Sequence, residues 1–474
     1  MAPTRLVFAL LLAVVSAGAY ADDNIQELFK KSQDADPLVR AKAARDLADL
    51  RTPDAAVVLV KMLADPHDHV HDEAVESLTT MSDAKVLEYL AEGAFRSARD
   101  PRTLAGLARV AADPEMKLVG AVPELLRALS QVREGAAVAV ISALSTLAPE
   151  DAEVKEAIAG KLKSQDWETR AAALEAHAAL AKAEASAALV EGCGDRQFQV
   201  RIAALEALAG ADKPKALEQA KAMLSDEHWS VRVAAIQLIE RAKDRTAVQL
   251  LVARLKEEDG RLKKDIGDCL RALASTEGQE GGGGDSVVTF YGIQIYSKRV
   301  IFVTDLSQGM KDKAAGTNKA RIDIAQEQFV ECLKGYPADG FFNLLVFATE
   351  VQPWQNRMQR AVPPAKSQSA EWLAKMVQAW LYARDTGRTN VYDSLALCFE
   401  DPNVDTVVFL SDATTITEGT YQNKTDILRR LLEKNRYRKI RFHMIGVGKK
   451  EKAVARSLMK DLAEETRGTF IETD

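Results

Sequence analysis

A repeat of about 31 residues runs through the first half of the chain and limits what that half can fold into. Each clear copy has an acidic turn, a basic residue and then an alanine three positions later, as in Asp36–Ala43, Asp166–Ala173, Asp195–Ala204 and Asp226–Ala235. The basic or equivalent position falls at Arg40, His71, Arg102, Ala137, Arg170, Arg201, Arg232 and Lys263, at intervals of 31, 31, 35, 33, 31, 31 and 31 residues. A single unit of this length cannot bury its apolar face alone, so the units must stack into a solenoid.

Each unit has room for two helices, and the pattern predicts how they begin and pack. The second helix is expected to start after the aspartate, which suits an N-cap or first-turn position. The alanines share one helix face and let neighbouring helices approach closely. We expect the arginine to bond to the aspartate or to carbonyls of an adjacent turn, with a ligand-binding ladder as the alternative.

These repeats resemble HEAT repeats of the short bacterial kind over about residues 24–275, with degenerate copies at His71, Arg102 and Ala137. The resemblance implies an all-α solenoid that serves as a protein-binding scaffold. His67, His69 and His71 form an HxHxH run among aspartates, which is a possible metal site. A solvated turn is the favoured interpretation of that run.

The chain starts with a stretch typical of a secretory signal peptide, Met1–Ala21. Arg5 precedes the apolar run Leu6–Val15, and Ala19-Tyr20-Ala21 is a small-x-small cleavage site. An uncleaved anchor is the alternative, but the run is shorter than the ~20 residues that a spanning helix needs. We therefore expect an extracytoplasmic protein, periplasmic or secreted, without a transmembrane segment in the mature chain.

Composition excludes several classes of protein. Hydrophobic residues make up 47% and charged residues 28%, which excludes a disordered chain and a polytopic membrane protein. Four cysteines in 474 residues exclude a small disulfide-stapled scaffold. Buried thiols are the favoured interpretation, and the one pair to test for a disulfide is Cys332 with Cys398, which both fall in the second predicted domain.

A glycine-rich stretch, Glu277–Asp285, predicts a flexible linker between two domains, because it suits neither a helix nor a packed strand. The predicted organisation is therefore a signal peptide at 1–21, a solenoid at 22–276, a linker at 277–285 and a second domain at 286–474. The first 285 residues carry 36 basic and 46 acidic side chains, and the remainder carries 27 and 23.

After the linker, predicted strands alternate with helices, which indicates a doubly wound α/β (Rossmann-like) fold with a mostly parallel sheet. Predicted strands cover 299–304, 341–348, 406–410, 440–447 and 469–472, and predicted helices cover 320–333, 371–382, 391–399, 424–434 and 450–465. Two of the strands end in carboxylates, Asp305 and Asp412. Ligands of such sheets bind at the carboxyl ends of the strands, and paired carboxylates with hydroxyls suit a hard divalent cation.

Residues 286–474 resemble a von Willebrand factor A (VWA) domain, whose metal-ion-dependent adhesion site follows an Asp-x-Ser-x-Ser, Thr, Asp pattern. Asp305 and Ser307 match its first element, Thr389 the second and Asp412 the third. The resemblance implies Mg²⁺, or another divalent cation such as Mn²⁺ or Ca²⁺, and a protein partner that supplies an acidic side chain.

Three positions depart from that pattern. Gly309 stands in place of the second serine, Arg388 in place of a glycine, and Ala413 in place of the glycine after the last aspartate. Water can replace a missing hydroxyl, because Mg²⁺ commonly keeps several waters. Arg388 is expected either to repel a metal or to help hold an acidic ligand, and a vestigial site that binds no metal is the alternative.

Three functions are consistent with these patterns. The favoured one is a non-enzymatic protein-binding scaffold, and the alternatives are a metal-independent structural assembly factor and a metal-assisted hydrolase. The segment 424–452 carries eleven basic residues against three acidic ones, which indicates either a docking patch or a solvated helix face. No nucleic-acid motif accompanies it, so we expect no nucleic-acid partner.

Overall fold

A computed structural model of the chain describes residues 22–98, 100–131, 135–274, 288–382, 388–412, 416–448 and 453–473. The chain divides into two compact units, Met1–Gln219 and Ala220–Asp474. The predicted signal peptide and the predicted linker at 277–285 lie outside the described residues, so both stay predictions. Every described helix is too short or too polar to cross a membrane.

The first unit is built from helices that stack repeat upon repeat. Its helices are Asp23–Lys31, Pro37–Leu50, Pro53–Met62, Asp68–Thr79, Ala84–Glu88, Phe95–Ser97, Pro101–Ala111, Val122–Gln131, Ala136–Leu147, Ala152–Ala159, Trp167–Ala181, Ser186–Gly192 and Phe198–Ala211, followed by Lys213–Met223, which continues into the second unit. A π-helical segment covers Tyr89–Ala94, and 3₁₀ turns cover Val119–Ala121, Gly160–Lys163 and Lys182–Ala185. Helices of successive repeats pack together, as Trp167–Ala181 does on Phe198–Ala211.

The aspartates of the repeat have two different roles at the helix starts. Asp36 and Asp166 are N-caps, and their carboxylates accept from the backbone N–H of Leu38 and Thr169, each at 2.9 Å. At Asp195 and Asp226 the prediction of a cap is wrong, because these residues lie six positions before the arginine instead of four. Their carboxylates instead bind the backbone N–H of the N-cap residues Gln197 and His228, each at 2.8 Å.

The repeat arginine joins one repeat to the next, as expected. Arg40 holds Asp65 through two hydrogen bonds of 2.7 and 3.0 Å, and it also donates to the carbonyl of Asp34. Arg170 holds Asp195 in the same way, with both bonds at 2.8 Å. Each pair spans 25 residues. At the degenerate copy, His71 instead bonds the Leu63 carbonyl through Nδ1 at 2.7 Å.

Replacing Arg170 with alanine is expected to destabilise the array by about 3 kcal/mol, because it leaves a largely buried Asp195 carboxylate without its bidentate partner. Thermal unfolding followed by circular dichroism measures this loss. Exposed Arg245 provides the control, since its replacement by alanine removes no ion pair of this kind. Equal melting temperatures for the two variants would contradict a structural role for the arginine.

The second unit contains the last helices of the array and an α/β domain. Its helices are Trp229–Ala242, Val248–Glu257, Gly260–Ala274, Arg321–Gly335, Pro363–Met376, Val391–Leu397, Lys424–Asn435 and Ala453–Glu465, with 3₁₀ turns at Arg245–Ala247, Gln308–Lys311 and Cys398–Glu400 and a π-helical segment at Val377–Tyr382. Its strands are β1 (Val288–Phe290), β2 (Ile293–Ile295), β3 (Arg299–Asp305), β4 (Phe341–Phe347), β5 (Val351–Pro353), β6 (Gln359–Arg360), β7 (Thr406–Ser411), β8 (Arg441–Val447) and β9 (Phe470–Thr473).

The main sheet has the order β5-β4-β3-β7-β8-β9. Strands β4, β3, β7, β8 and β9 are parallel, whereas β5 and β6 pair antiparallel with β4. This arrangement confirms the predicted solenoid followed by a doubly wound α/β domain. The parallel strands present their carboxyl ends at one edge, where ligands of such sheets bind.

Both faces of the sheet are covered by a hydrophobic cluster, and alternate residues of β3 pack into one cluster or the other. Val300 and Phe302 belong to one cluster, and Ile301 and Val303 belong to the other. Cys332 lies in the first cluster and Cys398 in the second, so the sheet separates them. All four cysteines are free and buried, as favoured from the sequence, and burial raises the pKa of the Cys193, Cys269 and Cys332 thiols to about 12.

Two features of this domain differ from the sequence prediction, and the start of one further helix lies outside the described residues. The hairpin β1–β2 and the short strands β5 and β6 were not predicted, since stretches of two or three residues give no periodic signal. The helix predicted from Glu371 begins at Pro363, because prolines at the first helical positions suit a helix start. The helix predicted from Lys450 is described from Ala453.

The helix Gly260–Ala274, called the terminal helix below, packs against the amino ends of the parallel strands. Arg261 donates to the carbonyl of Asp405, and Asp265 pairs with Arg441 at the start of β8. Burial opposes ionisation of Asp265, but the Arg441 and Arg261 guanidinium groups outweigh it and lower the pKa of this carboxyl. The last array helices and the α/β domain therefore share one compact unit.

Candidate metal centre

Asp305 and Ser411 end neighbouring strands at the carboxyl edge of the sheet. Thr304 of β3 pairs with Leu410 of β7, which brings the next residue of each strand together. Ser411 Oγ donates to Asp305 Oδ2 at 2.5 Å, and the Ser307 backbone N–H donates to Asp305 Oδ1 at 2.7 Å. The Asp305 carboxylate is thus fully buried and held on both oxygens.

Asp412 follows β7 and packs directly against Gly309. A Cβ atom built at position 309 would lie 1.6 Å from Asp412 Oδ2, so no other residue fits there without a shift. Arg321 holds the same loop from elsewhere, since its Nη1 donates to the Gly309 carbonyl at 2.9 Å. The carboxylate of Asp412 therefore occupies the space that the side chain of the usual second serine needs.

The Ser307 hydroxyl lies close enough to Asp305 to lower the pKa of that carboxyl, but no hydrogen bond of ordinary geometry holds it among the described residues. The Ser307 side chain is buried. A buried hydroxyl without such a hydrogen bond carries a free-energy cost of about 1–3 kcal/mol, and binding a cation relieves that cost. The chemistry of this hydroxyl beside two carboxylates fits a small oxygen-binding cation.

Two carboxylates in one buried place also disfavour each other's charge. Burial, and then the nearby charge of Asp412, raise the pKa of Asp305 to about 7. The hydrogen bonds from Ser411 and Ser307 act in the opposite direction. Such a pair is stabilised by a proton or by a cation between the two carboxylates.

Thr389 lies on an adjoining loop at the same edge. Phe347 of β4 pairs with Asp305, and the next residue, Ala348, accepts a hydrogen bond of 2.8 Å from the Asn390 N–H. Thr389 is buried beside this anchor. The structure therefore joins Ser307 to Asp305 by a hydrogen bond, packs Asp412 against Gly309 of the same loop and places Thr389 on the neighbouring loop, without assigning a ligand role to any of them.

The other two departures from the adhesion-site pattern have different outcomes. Arg388 pairs with Glu418 of the same chain. Ala413 lies outside the described residues. Sequence reasoning missed both Ser411 and Glu418 as neighbours of the site. Ser411 directly precedes Asp412 at a strand end, so its position beside Asp305 could have been predicted from neighbouring parallel strands. The contact of Glu418 with Arg388 depends on how the loops pack and could not.

No group of three or more His, Cys, Asp or Glu side chains among the described residues is arranged to hold a metal. The favoured interpretation of the HxHxH run as a solvated turn is wrong for His71, which is buried in the helix Asp68–Thr79 and bonded to the Leu63 carbonyl. His443 lies early in β8, away from the carboxyl edge, and its Nδ1 accepts from the Thr469 N–H at 3.1 Å. Burial lowers the pKa of His443 to about 3, so its ring is neutral.

Several basic residues of the segment 424–452 have structural contacts. Arg438 donates to the carbonyls of Phe399 and Asp401, both at 2.6 Å, and Lys424 pairs with Asp461 at 2.6 Å. Arg441 pairs with Asp265 of the terminal helix. These contacts favour a structural role for the cations over a docking patch.

Comparison with known proteins agrees with both halves of the prediction. The chain matches the family of HEAT repeats at residues 25–112 and 193–271, and the family of von Willebrand factor type A domains at residues 298–471. No curated protein matches this chain. HEAT repeats and VWA domains are typically interaction modules rather than catalytic ones.

Solved structures with similar regions cover about half of the chain. An engineered protein is 20% identical, with a TM-score of 0.31, over 53% of this chain and 79% of its own. The complex of CpcE and CpcF of phycocyanin lyase from Nostoc sp. PCC7120 is 16% identical, with a TM-score of 0.30, over 54% and 98%. Human deoxyhypusine hydroxylase is 19% identical, with a TM-score of 0.23, over 50% and 90%. On the family matches, the chain is a HEAT-repeat protein with a C-terminal von Willebrand factor type A domain.

Proposed function

We propose that this protein is an exported, non-enzymatic scaffold that binds a protein partner through a divalent cation at the carboxyl edge of its VWA sheet. The observation that carries this proposal is that two buried carboxylates that disfavour each other's charge, Asp305 and Asp412, lie at one loop with the buried hydroxyl of Ser307. Export rests on the predicted signal peptide at 1–21, which implies an extracytoplasmic location, periplasmic or secreted.

A cation such as Mg²⁺ suits these residues, with Mn²⁺ and Ca²⁺ as alternatives. Asp305, Ser307 and Asp412 supply oxygens, Thr389 supplies a further hydroxyl from the adjoining loop, and water fills the remaining positions. A cation held by few protein oxygens keeps an open position, which an acidic side chain of the partner fills. The HEAT array provides a second protein-binding surface.

The geometry favours binding over hydrolysis. A metal-assisted hydrolase needs a base that can take a proton from water near the metal. His443 lies toward the opposite edge and is engaged with the Thr469 backbone, so it does not serve this edge. A metal-independent assembly factor remains the second candidate, and it differs from the first in its response to metal.

Partner capture with and without a chelator separates these two functions. The full-length mature chain, used as bait in an extract of its native compartment, is expected to retain its partner in Mg²⁺ and to release it in EDTA. Asp412→Ala removes a proposed ligand and is expected to reduce capture at least ~10-fold. Glu371→Gln, an exposed change away from the site, is the control. Capture that neither EDTA nor Asp412→Ala reduces would favour the metal-independent assembly factor.

A further inference from the structure

An ion pair between Arg388 and Glu418 lies beside the candidate metal centre. The Arg388 side chain is 67% exposed and that of Glu418 is 22% exposed. Arg388 directly precedes Thr389, a proposed metal ligand that is buried. An arginine at this position attaches a permanent positive charge to the residue that precedes a proposed metal ligand.

The backbone holds Glu418 in place against Thr389. Thr389 N–H donates to Thr417 Oγ1 at 3.0 Å, and its carbonyl accepts from the N–H groups of Thr417 and Glu418 at 3.2 and 3.3 Å. Gly419 continues this attachment with a φ of 104°, which favours glycine, and a Cβ there would lie 2.2 Å from Asn390 Oδ1. The contact between the two charges is therefore built into the loop.

The positions of these charges indicate what the pair does. In a water-like dielectric, repulsion between two like unit charges several ångströms apart lowers an affinity by about two- to five-fold. A carboxylate paired with the arginine cancels most of that repulsion. Glu418 supplies this carboxylate from within the chain, so a divalent cation is not disfavoured by Arg388.

We propose that Glu418 is the charge-compensating residue of the metal centre, which allows a divalent cation to bind beside Arg388. This inference rests on the proposed function, because it assumes that the site takes a cation. It assigns Glu418 an electrostatic and positioning role, with no direct contact to the metal. It also explains how the VWA domain tolerates an arginine where the family usually has glycine.

Titration of the full-length chain with Mg²⁺ alone, followed by calorimetry, tests the inference. In low salt, Glu418→Gln is expected to weaken Mg²⁺ binding by about two- to five-fold, and this loss is expected to shrink in high salt. Arg388→Ala alone is expected to strengthen Mg²⁺ binding by a similar factor, and the double variant is expected to bind Mg²⁺ about as well as the wild type, because both charges are then gone. Glu331→Gln, which removes an exposed carboxylate paired with Lys334, is the control.

The possible results separate this inference from the proposed function. If the wild-type chain binds Mg²⁺ and Glu418→Gln binds it equally well in low salt, only the inference is overturned. Unchanged or weaker binding in Arg388→Ala, or a double variant that binds Mg²⁺ as weakly as Glu418→Gln, also overturns it, because Arg388 then does not repel the cation. Matching melting temperatures of all variants exclude the fold as the cause. If the wild-type chain binds no Mg²⁺, the proposed function fails and the inference fails with it.

Discussion

Replacing Asp305 with asparagine is expected to abolish any stabilisation by Mg²⁺ and to make the metal-free protein more stable near pH 8. The wild-type carboxyl has a folded-state pKa of about 7, raised from 3.8 by burial and then by the charge of Asp412. The folded chain therefore holds this proton more tightly than the unfolded chain does. The stability that this proton contributes to the folded state is fully present below about pH 4 and is lost as the pH rises through about 7. The asparagine side chain does not ionise in this pH range, so this pH dependence of stability is expected to disappear.

Thermal unfolding between about pH 5 and pH 8, in EDTA and in Mg²⁺, measures both effects. Mg²⁺ competes with the proton, so its stabilising effect on the wild type is expected to grow as the pH rises through about 7. Asp49→Asn, an exposed aspartate of the array, is the control and should retain the wild-type response. A Mg²⁺ shift that persists undiminished in Asp305→Asn would remove Asp305 from the site.

Restoring the missing serine with Gly309→Ser is expected to weaken the metal centre, although it completes the motif. The new Cβ would lie 1.6 Å from Asp412 Oδ2, so the carboxylate has to move. We expect a loss of about 1–3 kcal/mol in the free energy of unfolding, typical of an overpacked site. The displaced carboxylate is expected to lower Mg²⁺ affinity by at least ~10-fold, comparable to the loss of a partner that orients a ligand.

Calorimetry and thermal unfolding of the full-length chain test this prediction. Gly210→Ser is the matched control, because a Cβ at that helical position meets no atom within 4 Å. Gly309→Ser combined with Asp412→Ala relieves the clash, and it is expected to recover stability without recovering Mg²⁺ affinity. Tighter Mg²⁺ binding in Gly309→Ser would show that the added hydroxyl becomes a ligand, contrary to the packing.

The positions of the candidate ligands could be predicted from the sequence because each depends on local pattern. Apolar runs that end at Asp305 and Asp412 predict strands, and parallel strands bring such ends to one edge. The close approach of Asp412 to Gly309 gave no local signal, since it depends on how two loops pack. The same holds for Arg388 and Glu418, which are 30 residues apart.

The association of the terminal helix with the α/β domain also had no local signal. Arg261 and Asp265 are four residues apart in a helix, a spacing typical of an ordinary surface ion pair. Their contacts with Asp405 and Arg441 join residues 144 and 176 positions apart. Patterns within one helix cannot reveal which distant strand will bury it, so the extent of the second compact unit required the structure.

Because the terminal helix contacts the α/β domain directly, the glycine-rich stretch is not the only connection between the end of the array and that domain. Thirteen residues, 275–287, join a helix and a strand that already belong to one compact unit. A short covalent tether keeps two such elements at a high effective concentration, so even a modest set of contacts stays formed. The array thus ends inside the unit that carries the candidate metal centre. A force applied to the last repeat is therefore expected to reach Asp405 and Arg441 through side chains as well as through the tether.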